Sequence, residues 1–337
     1  MKTLAAVLVK QKKPLEVWEL EVPALQAGQL LVKIKVAGIC RTQLNEIDGI
    51  HGKDAYLPHL LGHEAAGSVE AVGPGVEKAK VGERVVISWI KGSGQNAPGG
   101  VYDHKGQRVN SGSAAVFSQC AIVAENRVTP IPADVPADIA ALFGCAVPTG
   151  VGVIQHALQV TPGSSVAIFG VGGVGASAIL GAKLQGAHDI IAIDISPDKL
   201  KLAKKLGATN TINSATQALP TGIDFAVDAT GVPQAMEQAF SVLNDHGVLA
   251  IAGHPKKGAK IKVDPFELIK GRRIIGTWGG NTQPDKDIPT YIEAWREKKL
   301  PLETLITHHF KLNQINKAIE TLRSGHAGRV ILEIGKK

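Results

Sequence analysis

Between Ser165 and Asp194 an apolar run, a glycine turn and a second apolar run ending in an acid follow one another, an order that few folds accommodate. Ser165 to Phe169 reads as a buried strand. Gly170-Val171-Gly172-Gly173-Val174-Gly175 is a G-x-G-x-x-G that opens a helix over Val174 to Gln185, and Asp194 ends the next strand, Ile190 to Asp194, about 20 residues beyond the last glycine. With 38 glycines in 337 residues the motif alone would say little, so the signal lies in its flanks. Gly170 permits the tight turn, Gly172 the close approach of backbone to a pyrophosphate, and Gly175 the packing of helix on strand. The helix start offers unpaired N–H groups and a positive dipole end to phosphate. Asp194 can accept hydrogen bonds from both ribose hydroxyls, and its charge repels the extra phosphate of NADP. Ile195 and Ser196 supply no arginine to relieve that, so NAD is expected.

The alternation continues with a helix over Pro197 to Leu206, capped by Ser196, a strand at Phe225 to Asp228, a helix over Pro233 to Leu243 and a strand at Val248 to Ala252. This predicts a doubly wound α/β fold with a parallel sheet. Before it, short runs at Leu4 to Val9, Leu30 to Ala37, Glu64 to Val72, Arg84 to Trp89 and Phe117 to Ala124, punctuated by glycines, predict a β-rich domain. Lys91 to Gly112, rich in Gly, Asn and Ser, predicts a long loop. Beyond Gly280 come helices near Ile288 to Lys298 and Gln314 to Ser324, then a strand, Arg329 to Ile334, able to return to the first domain's sheet.

Length favours two domains, and 44% apolar with 20% charged residues describes a globular chain. The net charge of +7 comes from scattered Lys and Arg, and the densest region, Lys256 to Arg273, has a single aromatic, Phe266, and not an interleaved set, which argues against nucleic-acid binding. Three cysteines cannot complete a disulfide framework, and the apolar run Leu4 to Val9 is too short for a signal peptide or membrane span, so a reduced, cytosolic protein is expected.

Cys40, in Gly38-Ile39-Cys40-Arg41-Thr42, His63, in Gly62-His63-Glu64, and Cys145, in Gly144-Cys145-Ala146-Val147-Pro148-Thr149, lie in glycine-flanked settings suited to metal ligands. Two sulfurs and one imidazole fit zinc, and three protein ligands would leave one position for a substrate oxygen. Cys120, inside an apolar run, reads as core.

With these residues around a Rossmann unit, the whole chain resembles the zinc-dependent medium-chain alcohol dehydrogenases, a family known for a Cys₂His catalytic zinc. The resemblance implies a GroES-like β-barrel catalytic domain at 1–147 and 280–337, a Rossmann NAD-binding domain at 148–279, and an active site in the cleft between them. It implies hydride transfer between a primary or secondary alcohol, a polyol or sugar-derived alcohol among them, and NAD. By the same resemblance Glu64 sits behind the zinc, Thr42 takes the alcohol proton, and Trp89 lines the substrate pocket. Arg41 and Arg329 hold the pyrophosphate, Thr149 and Val174 press on the nicotinamide, and Lys199 lies near the adenosine ribose. His254 falls in a loop that meets the nicotinamide. A homodimer or homotetramer is implied, with Arg273 to Trp278 as a possible edge.

Three departures stand out. Lys91 to Gly112 has none of the four cysteines that hold a structural zinc in some relatives, so one zinc per subunit is expected. Gln43 stands where many relatives have Asp, replacing a carboxylate beside the zinc by an amide. Asn45 stands where some carry a proton-relay histidine, a part that His51 could take. The competing readings are a zinc-free NADPH-dependent enone or quinone reductase of the same superfamily and a non-catalytic nucleotide-binding protein on the same scaffold.

Overall fold

The computed structural model describes residues 1–335. They form two compact units: Met1–Cys145 with Gln283–Glu293 and the residues from Ile306 onward, and Ala146–Thr282 with Ala294–Leu305. No helix among the described residues is long and apolar enough to cross a membrane.

The first unit is built on two sheets. One is five-stranded, in the order His59–Leu60, Lys2–Leu8, Glu16–Glu21, Tyr102–His104, Gln107–Val109. The other is seven-stranded and centres on Gln29–Ile39, which pairs antiparallel with Glu64–Val72 on one side and with Cys120–Ala124 and Arg329–Glu333 on the other. Its middle shows why it folds as a strand: Val32, Ile34 and Val36 are buried while Lys33 and Lys35 are exposed, the period of two that a pleated strand imposes. The expected return of the C-terminal strand is present, Val330 to Glu333 pairing with Ile39 to Val36.

In the second unit all six strands are parallel, in the order Asn210–Asn213, Asp189–Asp194, Ser165–Phe169, Ile223–Asp228, Leu243–Ile251, Arg273–Gly276. The sequence order thus reverses beside Ser165–Phe169, the switch point at which doubly wound folds bind nucleotide.

Three local expectations are corrected. The supposed loop Lys91 to Gly112 contains a hairpin, Tyr102–His104 with Gln107–Val109, turned by Lys105 (φ 52°) and Gly106 (φ 86°). Two central residues with positive φ make the tight turn whose twist matches the strands. Cys40 precedes a helix, Arg41–Asp48, and not a loop. Ser196 occupies the N-cap position, yet its buried hydroxyl bonds no helix N–H, and its own N–H donates to Asp194.

The Lys91 to Gly112 segment is fixed to the unit by carboxylates. Buried Glu125 accepts the backbone N–H groups of Glu77 (2.7 Å), Lys78 (2.8 Å) and Gln95 (2.6 Å). Asp285 accepts the N–H of Ser93 at 2.6 Å and pairs with Lys78 at 2.6 Å. Burial raises the pKa of Glu125, but the N–H donors of Gln95, Glu77 and Lys78 outweigh it and hold the carboxyl below its usual value. A depressed folded-state pKa contributes stability that is present above the unfolded value and lost as pH falls through the folded one. Glu125→Gln, which turns an NH₂ onto backbone donors, should destabilise the protein by about 1–3 kcal/mol near neutrality. Thermal unfolding at a series of pH values should show the gap to wild type narrowing as pH falls below the ordinary carboxylate range and through the lowered Glu125 value; a gap independent of pH would contradict the anchor.

Candidate functional site

Three neighbouring backbone features deliver the candidate ligands. Strand Gln29–Ile39 ends at Cys40, the N-cap of helix Arg41–Asp48, and the Gln43 side chain reaches back to accept the Cys40 N–H at 2.9 Å. Gly62, with φ +92°, turns the chain so that His63 precedes strand Glu64–Val72; a Cβ there would lie 2.6 Å from the Phe117 ring. Gly144 packs against strand Arg84–Ser88, where a Cβ would come 2.4 Å from the Ile87 carbonyl oxygen, and the Ser88 hydroxyl donates to its carbonyl at 2.8 Å. Cys145 follows it and is buried.

The outcome is that Cys40 Sγ, Cys145 Sγ and one ring nitrogen of His63 all lie within 4.8 Å of one another, with His63 Nε2 3.3 Å from Cys145 Sγ. The hydrogen bond with Cys145 lowers the Cys40 pKa well below the thiol range against the cost of burial, and His63 and Arg329 add to it. The same partnership, together with burial, pushes Cys145 well above that range, while a hydrogen bond from Trp89 pulls the other way. A metal cation at this point would take both sulfurs as thiolates, displacing their protons. Two sulfurs and an imidazole nitrogen converging at one point are a donor set that fits zinc.

Behind the cluster Glu64, fully buried, forms an ion pair with Arg329, which is also buried. Gly38 makes room for the pair, since a Cβ there would stand 2.7 Å from the Glu64 carboxylate. Burial lowers the Arg329 pKa, and the nearby Cys40 opposes this. The Thr42 hydroxyl is 3.7 Å from Cys40 Sγ. Trp89 is edge-on to His63 with ring centres 6.4 Å apart, and its carbonyl accepts from Arg127. In front of His63 and Trp89 lies a cavity of about 630 Å³ whose lining includes Asn45, Glu46, His51 and Tyr56. Sequence reasoning passed over Glu46, whose pKa burial raises. It stands one helical turn after Thr42, with Asn45 beside it, and that spacing was the available signal.

The nucleotide-site residues gather in the second unit. Gly170 has φ +87°, and a Cβ on Gly175 would lie 1.8 Å from the Gly170 carbonyl oxygen, so no larger residue fits there. Gly172 is the N-cap of helix Gly173–Leu184 and makes no side-chain cap, and a Cβ on it would meet open space. Asp194 accepts the N–H groups of Val171 (2.8 Å) and Ser196 (2.9 Å), with Lys199 Nζ 4.0 Å away. Gly150 lets helix Ala146–Gly152 press on Val174, whose carbonyl oxygen would be 2.3 Å from a Cβ, and the adjacent Thr149 is buried. Arg41 is exposed, as are His51 and His254, the last tilted against Trp278 with ring centres 5.3 Å apart.

Residues 26–133 match the family described as alcohol dehydrogenase GroES-like domain, and residues 173–297 the family described as zinc-binding dehydrogenase. The chain is 33% identical to alcohol dehydrogenase 1 of Trifolium repens, over 99% of this chain and 97% of that protein, and 32% identical to alcohol dehydrogenase 1 of Pisum sativum over the same shares. Among solved structures, benzyl alcohol dehydrogenase from Acinetobacter calcoaceticus superposes with a TM-score of 0.90 at 32% identity, covering 99% of this chain and 100% of that one. An alcohol dehydrogenase zinc-binding domain protein from Burkholderia ambifaria gives 0.92 at 30% identity, covering 100% of both. The fold is therefore that of a GroES-like domain joined to a nucleotide-binding α/β domain, and the protein is an alcohol oxidoreductase. The chain belongs to the zinc-dependent medium-chain dehydrogenase family.

Gly62→Ala should disturb the site without touching a ligand. It forces a left-handed backbone onto a side chain and drives a methyl group into Phe117, so a loss of about 1–3 kcal/mol is expected. Calorimetry on the variant checks this, and an unchanged melting temperature would contradict it.

Proposed function

We propose that the protein oxidises primary or secondary alcohols with NAD, using one zinc ion held by Cys40, His63 and Cys145. The observation that carries the reading is the convergence of these three ligand atoms beside the cavity lined by Trp89 and His63. Zinc, when bound, supplies Lewis acidity toward an alcohol or carbonyl oxygen.

The chain's own residues supply the rest. Thr42 stands next to Cys40 and would accept the hydroxyl proton of the substrate while passing its own hydroxyl proton on to solvent. Trp89 shapes the cavity wall and orients the reacting carbon. Glu64 and Arg329 compensate each other's buried charge behind the ligands. In the second unit the first turn of helix Gly173–Leu184 receives the pyrophosphate, with Gly170, Gly172 and Gly175 clearing the way. Arg41 and Arg329 are the further pyrophosphate partners in this reading. Asp194 takes the ribose hydroxyls, with Lys199 beside it, and excludes a 2′-phosphate by charge repulsion. Thr149 and Val174 bear on the nicotinamide. The cavity's polar lining, Asn45, Glu46, His51 and Asn110 among it, favours a substrate with additional hydroxyl groups. The three cysteines, all free thiols, suit a reducing cytosol.

A homo-oligomer is part of the same reading. Arg273–Gly276 is an edge strand of the parallel sheet, and exposed Phe266, Ile269 and Trp278 flank it, an open edge with an apolar border. Sedimentation should find a dimer or tetramer that Trp278→Lys weakens; a wild-type monomer would remove this assignment.

The decisive experiment is metal analysis combined with a panel of alcohols, benzyl alcohol, 2,3-butanediol and sorbitol included, assayed with NAD and with NADP. Near one zinc per chain and faster turnover with NAD are expected. Cys145→Ser should lose the metal and at least about 100-fold in activity. A metal-free wild-type chain that reduces enones with NADPH would establish the competing reductase, and Cys145→Ser without zinc but with full alcohol oxidation would sink the mechanism.

A further inference from the structure

Gln43 stands between two of the proposed ligands and has a single acceptor atom to offer them. Its Oε1 is 2.9 Å from the Cys40 backbone nitrogen and its Nε2 is 2.8 Å from His63 Nδ1, with the side chain buried. Chemistry fixes which amide atom is which. A backbone N–H can only donate, so the atom facing Cys40 must be the oxygen. The amide NH₂, which can only donate, is left to face His63, and Nδ1 must then accept. The ring proton consequently sits on Nε2, the nitrogen 3.3 Å from Cys145 Sγ.

A metal at Nε2 reverses the polarity. A neutral imidazole that gives the Nε2 lone pair to zinc exchanges its proton with solvent and carries one on Nδ1 instead. Two N–H donors, one from Cys40 and one from His63, then compete for one carbonyl oxygen. A carboxylate would set an oxygen at each of the two positions that Gln43 fills, 2.9 Å from the Cys40 nitrogen and 2.8 Å from His63 Nδ1, whereas an amide in either orientation turns its NH₂ onto one of the donors.

We propose that Gln43 is a positioning residue that couples zinc loading to the first turn of helix Arg41–Asp48. When His63 ligates the metal, the carboxamide turns over, Oε1 accepts from His63 Nδ1–H, and the Cys40 N–H loses its partner. The stranded donor lowers zinc affinity relative to a carboxylate in the same place. The inference rests on the zinc reading above, with Cys40 Sγ and His63 Nε2 as ligand atoms.

The test compares metal-free and zinc-loaded protein. Amide hydrogen exchange read by NMR should show the Cys40 amide exchanging faster once zinc is bound, while Leu44 and Ile47 in the same helix keep or gain protection. Competition with a chromogenic chelator should show Gln43→Glu binding zinc about 10–100-fold more tightly than wild type, the range typical of residues that support metal-ligating histidines. In that variant the Cys40 amide should stay protected in both states. Stoichiometric zinc with Cys40 exchange unchanged or slowed in the wild type overturns the inference and leaves the zinc reading standing, and so does a Gln43→Glu affinity no tighter than wild type. A wild-type chain that takes up no zinc overturns both. The exchange measurement needs no substitution and stands even if the variant fails to fold.

Discussion

Much of the first unit depends on one buried ion pair. Glu64 begins the strand that follows His63, and Arg329, 265 residues later, begins the strand Arg329–Glu333; their side chains meet with almost no solvent access. Neither charge could be kept in that position alone, because removing one partner of a buried pair typically costs about 3–5 kcal/mol. The pair also explains Gly38, since any side chain at that position would collide with the carboxylate. Sheet register, a glycine and the electrostatics of the cysteine cluster are thus tied to the same two residues. Arg329 contributes to the low Cys40 pKa, so the pair that fastens the sheet also tunes the thiol.

The two units differed in how openly their sequences declared them. Most of the parallel sheet was legible because strands such as Ser165–Phe169 and Asp189–Asp194 are buried on both faces, whereas the short and half-exposed Asn210–Asn213 was passed over. The first unit was harder. Glu16–Glu21 alternates acidic and apolar residues but was passed over, its buried face amounting to Leu20 with a half-buried Trp18. The hairpin at Tyr102 has strands of three residues, too short for any periodicity to emerge. Helix Arg41–Asp48 has a polar composition that propensity does not favour strongly, and it owes its start to Gln43, a contact that only geometry reveals.

The candidate ligand triad lay open in the sequence, whereas the groups around it did not. Cys40, His63 and Cys145 each announced themselves through flanking glycines. Glu46, Glu125 and Gly38 matter because of what stands next to them in space, and nothing in their own sequence neighbourhoods says so. Glu125 illustrates the point. A single carboxylate collects backbone donors from two separate stretches of chain and organises a lobe that relatives with four added cysteines would organise with metal. Hydrogen bonds to a charged acceptor are strong enough for that task, and they leave no motif behind.

The interrupted course of the first unit has a consequence for how the protein is made. Residues 146–305 include everything the parallel sheet requires, and they leave the ribosome before Arg329 does. During synthesis the nucleotide-binding unit can therefore reach its final form while the other still lacks its returning strand and while Glu64 has no counter-charge. A chain cut short before Arg329 would keep every strand of the parallel sheet but leave the buried Glu64 of the first unit without its counter-charge. Strand Arg329–Glu333 thus acts as a latch on the first unit, whose sheet can close only after the residues of the second have been made.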